Sequence, residues 1–130
     1  MPALPTILAA ALSLAACSSV GSSGDNVARI ADGSSFRMQP GQQVTLADAS
    51  TLRYERLVND SRCQPGVQCV WAGDAEVAFT WHSTGGGRDA FSLHTGRGEK
   101  SHVVGGRTVT LVGLGRGVAP KATLKLDSSK

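Results

Sequence analysis

Two cysteines six positions apart, Cys63 and Cys69, are the residues whose type and spacing most directly suggest chemistry. Such a pair can bind a metal, take part in thiol–disulfide exchange or form a structural disulfide. The spacing is not the two-residue spacing of redox motifs or zinc knuckles, and the Ser, Arg and Gln residues beside the pair are not ordinary zinc ligands. A structural disulfide is therefore favoured. Pro65 and Gly66 suit the centre of a tight turn inside the closed loop.

The three histidines are the other candidates for metal binding or catalysis. In the hairpin predicted over residues 75–94, His82 and His94 stand four positions apart along the ladder, which is about 13 Å. Ligands of one metal ion each lie about 2 Å from it, and His102 belongs to a separate predicted hairpin. No nucleophile elbow or zincin helix occurs in the sequence. We therefore predict no metal site, no cofactor and no enzyme activity.

The N-terminal residues indicate export. Residues 1–16 carry no charge and end in an apolar segment shorter than the about 20 residues that span a bilayer, which is typical of a signal peptide. The sequence LAAC at residues 14–17 resembles the bacterial lipobox, and this resemblance implies that Cys17 is acylated and becomes the new N-terminus. In that pattern, Ser18 favours the outer membrane. Lipidation of Cys17 leaves Cys63 and Cys69 as a pair in an oxidising compartment.

After the signal peptide the sequence predicts a linker and one domain. Residues 17–26 contain the lipidated cysteine and a flexible Gly/Ser-rich linker, and residues 27–130 have the length of a single domain. The 16 glycines and the short alternating apolar runs indicate an all-β fold. We predict an antiparallel β-sandwich or small barrel of about 8–10 short strands with one short-loop disulfide. The predicted strands are 27–30, 35–38, 43–46, 52–58, 67–71, 75–82, 90–94, 101–104, 107–112 and 122–126.

The clearest predicted hairpin has a glycine-rich turn and a pairing centred on Gly86. This pairing places Phe79 opposite Leu93 and Trp81 opposite Phe91, so the apolar residues of both strands share one face. Aromatic residues on such a face belong to the core. The predicted core therefore consists of Val44, Leu46, Leu52, Tyr54, Val77, Phe79, Trp81, Phe91, Leu93, Val109, Leu111, Leu124 and Leu126.

Residues 60–73 contain a recognisable motif. Asp60-Ser61-Arg62-Cys63, followed by Cys-Val-Trp-Ala-Gly at residues 69–73, resembles the signature of a family of small bacterial exported proteins and lipoproteins of uncharacterised function, approximately DSRCP and then CVWAG. Gln64 stands where that pattern has proline, which leaves the cysteine pair intact and affects the turn geometry. The resemblance implies no activity and supplies no catalytic residues.

Charge and compartment narrow the function classes. A net charge of +3 is small for a nucleic-acid-binding protein, and export argues against nucleic acid as a partner. We predict a lipoprotein of the cell envelope, bound to the outer membrane through its lipid. Its non-catalytic all-β domain would bind an envelope polymer or protein, or support the envelope structurally. The alternatives are a hydrolase inhibitor acting through loop 63–69 and, less favoured, a metal-binding periplasmic protein. Candidate contact residues are Arg62, Gln64, Pro65, Gly66 and Gln68.

Overall fold

A computed structural model describes residue 3 and residues 29–128 of the chain. Apart from Ala3, the predicted signal peptide over 1–16, Cys17 and the linker over 17–26 lie outside the described residues. Residues 29–128 form strands and no helix, and none of them belongs to a helix able to cross a membrane. The strands are β1 Arg29–Ile30, β2 Ser35–Met38, β3 Gln43–Leu46, β4 Thr51–Asp60, β5 Ala75–His82, β6 Arg88–His94, β7 Ser101–Val104, β8 Arg107–Leu114 and β9 Ala122–Ser128.

The strands form two sheets. One has the order β1-β3-β4-β5-β6 and the other β2-β9-β8-β7. The predicted all-β architecture is confirmed. All strand pairs are antiparallel except β1, which lies parallel to β3 with Arg29 opposite Thr45. The one parallel pair arises because the chain crosses to the second sheet after β1 and returns as β3.

The core lies between the two sheets and is built by alternation along each strand. Val44, Trp81 and Phe91 are only partly buried and pack against it. Tyr54 is fully buried, and its hydroxyl donates to the Pro120 carbonyl at 3.0 Å. The buried core cluster is Met38, Leu46, Leu52, Tyr54, Val77, Phe79, Leu93, Val104, Val109, Leu111, Ala122, Leu124 and Leu126.

The pairing of β5 with β6 differs from the predicted register by two residues. Phe79 lies opposite Phe91, and Trp81 lies opposite Asp89. The turn closes where the Ser83 amide donates to the Gly87 carbonyl at 2.8 Å, so the pairing is centred one residue earlier than Gly86. Because a shift by an even number keeps every side chain on its own face, the predicted core face is preserved although the register was wrong.

Three long connections meet at one end of the sandwich, which we call the loop end. β4 ends at Asp60 opposite the first residue of β5, Ala75, so the connection between them lies at this end. β6 and β8 also end there, while the β3–β4, β5–β6 and β7–β8 turns occupy the opposite end. The loop end consists of residues 61–74, 95–100 and 115–121.

Candidate functional site

Residues 61–74 form a folded loop, and the strand predicted at 67–71 is wrong. The Ser61 amide donates to the Asp74 carbonyl at 2.7 Å, and the Cys63 amide donates to the Ala72 carbonyl at 3.2 Å. These two bonds extend the antiparallel pairing of β4 with β5 beyond the last strand pair, Asp60 with Ala75. Beyond them the chain must reverse direction, because Cys63 and Cys69 are joined, so residues 67–71 cannot extend along a neighbouring strand.

The predicted disulfide is present. Cys63 and Cys69 are bonded with their Cα atoms 5.9 Å apart. Pro65 and Gly66 occupy the central positions of the turn that the Val67 amide closes by donating to the Gln64 carbonyl at 3.1 Å. Gly66 has φ 80°, the left-handed conformation that a type II turn requires after proline. The disulfide and this turn together fix the backbone of residues 63–69.

Removing the disulfide is expected to weaken the fold moderately. For so short a loop, the chain-entropy argument gives a loss of about 2 kcal/mol in the free energy of unfolding. Urea unfolding of the Cys63→Ser/Cys69→Ser chain against the oxidised wild type measures this loss. Adding dithiothreitol should lower the wild-type value to that of the variant and leave the variant unchanged. A reductant effect of equal size on both chains would contradict the assignment.

Arg62 joins the loop to the second sheet. Its Nε and Nη2 donate to the Asp60 carboxylate at 2.9 and 2.7 Å. Its Nη1 and Nη2 also donate to the carbonyls of Leu114 and Gly115, both at 2.7 Å. The Arg62 side chain is 11% exposed. Arg62 therefore has little surface to offer a partner, and we remove it from the candidate contact residues.

Asp60 organises the beginning of the loop. One carboxylate oxygen accepts from the Arg62 backbone amide at 3.1 Å, two residues ahead. The hydrogen bonds from the Arg62 guanidinium hold the pKa of Asp60 below its ordinary value, and the Asp60 carboxylate raises the pKa of Arg62. The pair stays ionised near neutral pH, so the link between the two sheets is formed by charged groups.

Asp74, like Asp60, holds a loop by accepting hydrogen bonds from backbone amides, in this case in residues 95–100. Its carboxylate lies 2.6 Å from His94 Nδ1 and accepts from the backbone amides of Gly96 and Arg97 at 2.7 and 3.1 Å. Burial raises the pKa of Asp74, but these hydrogen bonds outweigh it, and the net pKa lies below the ordinary value. Asp74 thus connects two of the three loops, a role that its position in the sequence gave no reason to predict.

The histidines serve separate local contacts. His94 contacts Asp74, whereas the His102 ring stacks on Phe91 with 4.2 Å between centroids and lies 2.7 Å from an Asp89 oxygen. His82 ends β5 at the other end of the sandwich and is exposed. Within residues 29–128, no group of three or more His, Cys, Asp or Glu side chains is arranged to hold a metal ion.

Exposed apolar side chains are concentrated at the loop end. Val70 is 92% exposed, Trp71 70% and Val67 55%, and across the loop end Val118 is fully exposed. The Arg97 guanidinium lies 5.3 Å from the centroid of the Trp71 ring, within the range of a cation–π interaction. A groove of about 640 Å³ lies beside these groups and is lined by Ser61, Cys69, Val70, Trp71, Gly73, Asp74 and Arg97.

The remaining candidate contact residues are exposed, but they are not the most apolar part of the loop. Gln64, Pro65, Gly66 and Gln68 all lie on the surface. Gln64 and Pro65 line a second groove together with Asp60, Arg62 and, from the neighbouring loop, Arg116 and Gly117. Sequence reasoning missed Val70 and Trp71, although apolar residues directly after a turn-rich, cysteine-closed segment were a signal that could have identified them.

Comparison of the chain with protein-family models, with curated proteins and with solved structures found no match. The function must therefore be argued from the geometry of the loop end. That geometry combines a disulfide, the Asp60–Arg62 pair and the Asp74 hydrogen bonds, which hold three loops together beneath exposed apolar side chains. Such an arrangement is suited to contact with another surface.

Proposed function

We propose that this protein is a lipid-anchored, non-catalytic binding module of the outer membrane and that the loop end is its contact surface. One observation carries the proposal. The three most exposed large apolar side chains of residues 29–128, Val118, Val70 and Trp71, all lie on the loops of this end. Exposed apolar side chains that are grouped at one end of a domain, rather than scattered singly, are typical of interaction sites. The lipid anchor rests on the lipobox-like sequence that ends at Cys17.

The rigidity of the loops favours binding. A flexible loop loses conformational entropy when it binds, whereas a loop already fixed in its bound shape loses little. The disulfide, the Arg62 hydrogen bonds to the Leu114 and Gly115 carbonyls and the Asp74 bonds to residues 96 and 97 fix these loops in advance. Trp71 and Arg97 are of the residue types that contribute most to binding energy at interfaces.

A hydrolase inhibitor is the second candidate. The observation that favours it is the exposure of Gln64, Pro65, Gly66 and Gln68 on a turn closed by a disulfide. Protease inhibitors present a rigid segment to a cleft, and preorganisation of that segment reduces the cost of binding. In this case the partner would contact the turn at Gly66 rather than the apolar side chains that follow it.

Site-specific photo-crosslinking tests the contact surface. A benzophenone amino acid replaces Val70 in one chain and Val103 in another, because Val103 is 58% exposed but lies on β7, away from the loop end. In cells that export the protein, we expect Val70 to give several-fold more adducts with envelope lipid or protein than Val103. Equal adducts from the two positions would contradict the proposal. Adducts from position 66 to a hydrolase, with none from position 70, would support the inhibitor alternative.

A further inference from the structure

We propose that the loop end faces the lipid bilayer in which the chain is anchored, with Trp71 and Val70 at the level of the lipid headgroups. This inference rests on the proposed lipid anchor and identifies the partner of the same surface as an anionic phospholipid membrane. Three independent features of the described residues support it. They are the charge of the loops, the nature of the exposed side chains and the direction in which the chain enters the domain.

The charge of the loop end complements an anionic surface. Four exposed cationic residues lie on its loops: Arg97, Lys100, Arg116 and Lys121. Among the acidic side chains of the same region, Asp60 is paired with Arg62, and Asp74 accepts hydrogen bonds from its own loop neighbours. Glu99 is the acidic residue that remains exposed there. Basic side chains within a Debye length of anionic headgroups are attracted to them.

The apolar side chains match the interface between lipid and water. Tryptophan is enriched at this depth of the bilayer, where its ring is apolar and its N–H can reach polar groups. Arg97 lies against the Trp71 ring, which places a positive charge beside the aromatic group. Val70 and Val118 project with 92% and 104% exposure. Valine transfers favourably into the bilayer on insertion scales, so these exposed side chains suit contact with lipid.

The direction of β1 leads the preceding chain toward the loop end. β1 is parallel to β3, and Arg29 lies beside Thr45, which pairs with Thr51 at the start of β4. From there β4 takes ten residues to reach Asp60 at the loop end, about 30 Å. Eleven residues separate Cys17 from Arg29, and their extended reach is about 40 Å. A lipid on Cys17 can therefore lie in the same plane as the loop end.

Fluorescence quenching in vesicles tests the inference. The full chain, purified in detergent from the membranes of cells that express it, is reconstituted into vesicles of phosphatidylcholine and phosphatidylglycerol carrying bromine near the headgroup end of the acyl chains. The protein has two tryptophans, and Trp81 is partly buried against the core. We expect bromolipid to quench part of the wild-type fluorescence, and this part should be absent from the Trp71→Phe chain. Equal quenching of the two chains would overturn the inference.

Flotation of the same vesicles separates this inference from the proposed anchor. If the chain floats with the vesicles but Trp71 is not quenched, the anchor stands and the membrane-facing orientation is wrong. If the chain does not float and Trp71 is not quenched, both are wrong. The Arg97→Glu/Arg116→Glu chain should lose several-fold in Trp71 quenching with phosphatidylglycerol present. Crosslinks from Val70 to protein alone would also overturn the inference.

Discussion

Replacement of Arg62 with alanine is expected to lower the free energy of unfolding by about 2–3 kcal/mol, because hydrogen bonds to charged groups are worth more than neutral ones. The change removes two bonds to the Asp60 carboxylate and one each to the carbonyls of Leu114 and Gly115. It also leaves Asp60, which is only 25% exposed, without its partner. Urea unfolding monitored by fluorescence measures the loss.

Two controls distinguish this link from a general effect of charge. Arg97→Ala removes an exposed guanidinium from the same end and should cost at most about 0.5–1 kcal/mol, the value of its exposed contact with the Trp71 ring. Arg62→Lys should recover little of the loss, because a single ammonium cannot reproduce the fork that reaches Asp60 and both carbonyls. A loss in Arg62→Ala no larger than that in Arg97→Ala would contradict the proposed link.

The stabilisation by Arg62 should depend on pH in a defined direction. The Arg62 hydrogen bonds hold the pKa of Asp60 below its ordinary value of 3.8 in the folded state. A lowered folded pKa gives stability that is fully present above the unfolded value and is lost as pH falls through the folded value. The difference between wild type and Arg62→Ala should therefore be largest above pH 4 or so and should shrink in more acidic solution.

Gly73→Ala is the second substitution with a large expected effect. Gly73 has φ 74°, and a Cβ at this position would lie 1.9 Å from the Ser61 carbonyl oxygen. The added methyl must displace the backbone that carries the bond from the Ser61 amide to the Asp74 carbonyl. We expect a loss of about 3 kcal/mol in the free energy of unfolding, from backbone strain together with overpacking.

Gly66→Ala is the matched control for Gly73→Ala. Gly66 has φ 80°, a similar left-handed conformation, but an added Cβ would meet nothing within 4 Å. Gly66→Ala should therefore lower the free energy of unfolding only by the strain of a left-handed alanine, about 1–2 kcal/mol. Thermal or urea unfolding of both variants separates strain from collision. Equal losses in the two chains would show that the close approach of Gly73 to residue 61 does not hold in solution.

Much of the fold was predictable because period-2 alternation and turn residues are local signals. The strands at 35–38, 43–46, 75–82 and 101–104 have the predicted bounds, and the disulfide that the cysteine spacing favoured is present. The register of β5 with β6 was wrong because a run of three glycines permits more than one turn, and only the backbone bond between Ser83 and Gly87 selects one.

The contacts of the candidate site were less predictable because they join distant residues. Arg62 reaches Leu114 and Gly115, and Asp74 reaches Gly96, through topology that no local pattern contains. The strand predicted at 67–71 was wrong because a local pattern was followed where a non-local bond decides the structure. Residues 67–71, VQCVW, are mostly apolar and of types common in strands, but the disulfide that joins Cys69 to Cys63 interrupts the extended chain and leaves Val70 and Trp71 exposed.

We propose that the loop end is a contact surface and not merely a closed loop that secures the core. The most direct test is the photo-crosslink from Val70 compared with Val103, measured in the wild-type chain and in the Arg62→Ala chain. We predict adducts at Val70 in the wild type, several-fold fewer when Arg62 no longer holds the loop, and few at Val103 in either chain. Equal labelling at the two positions in the wild type would contradict the claim.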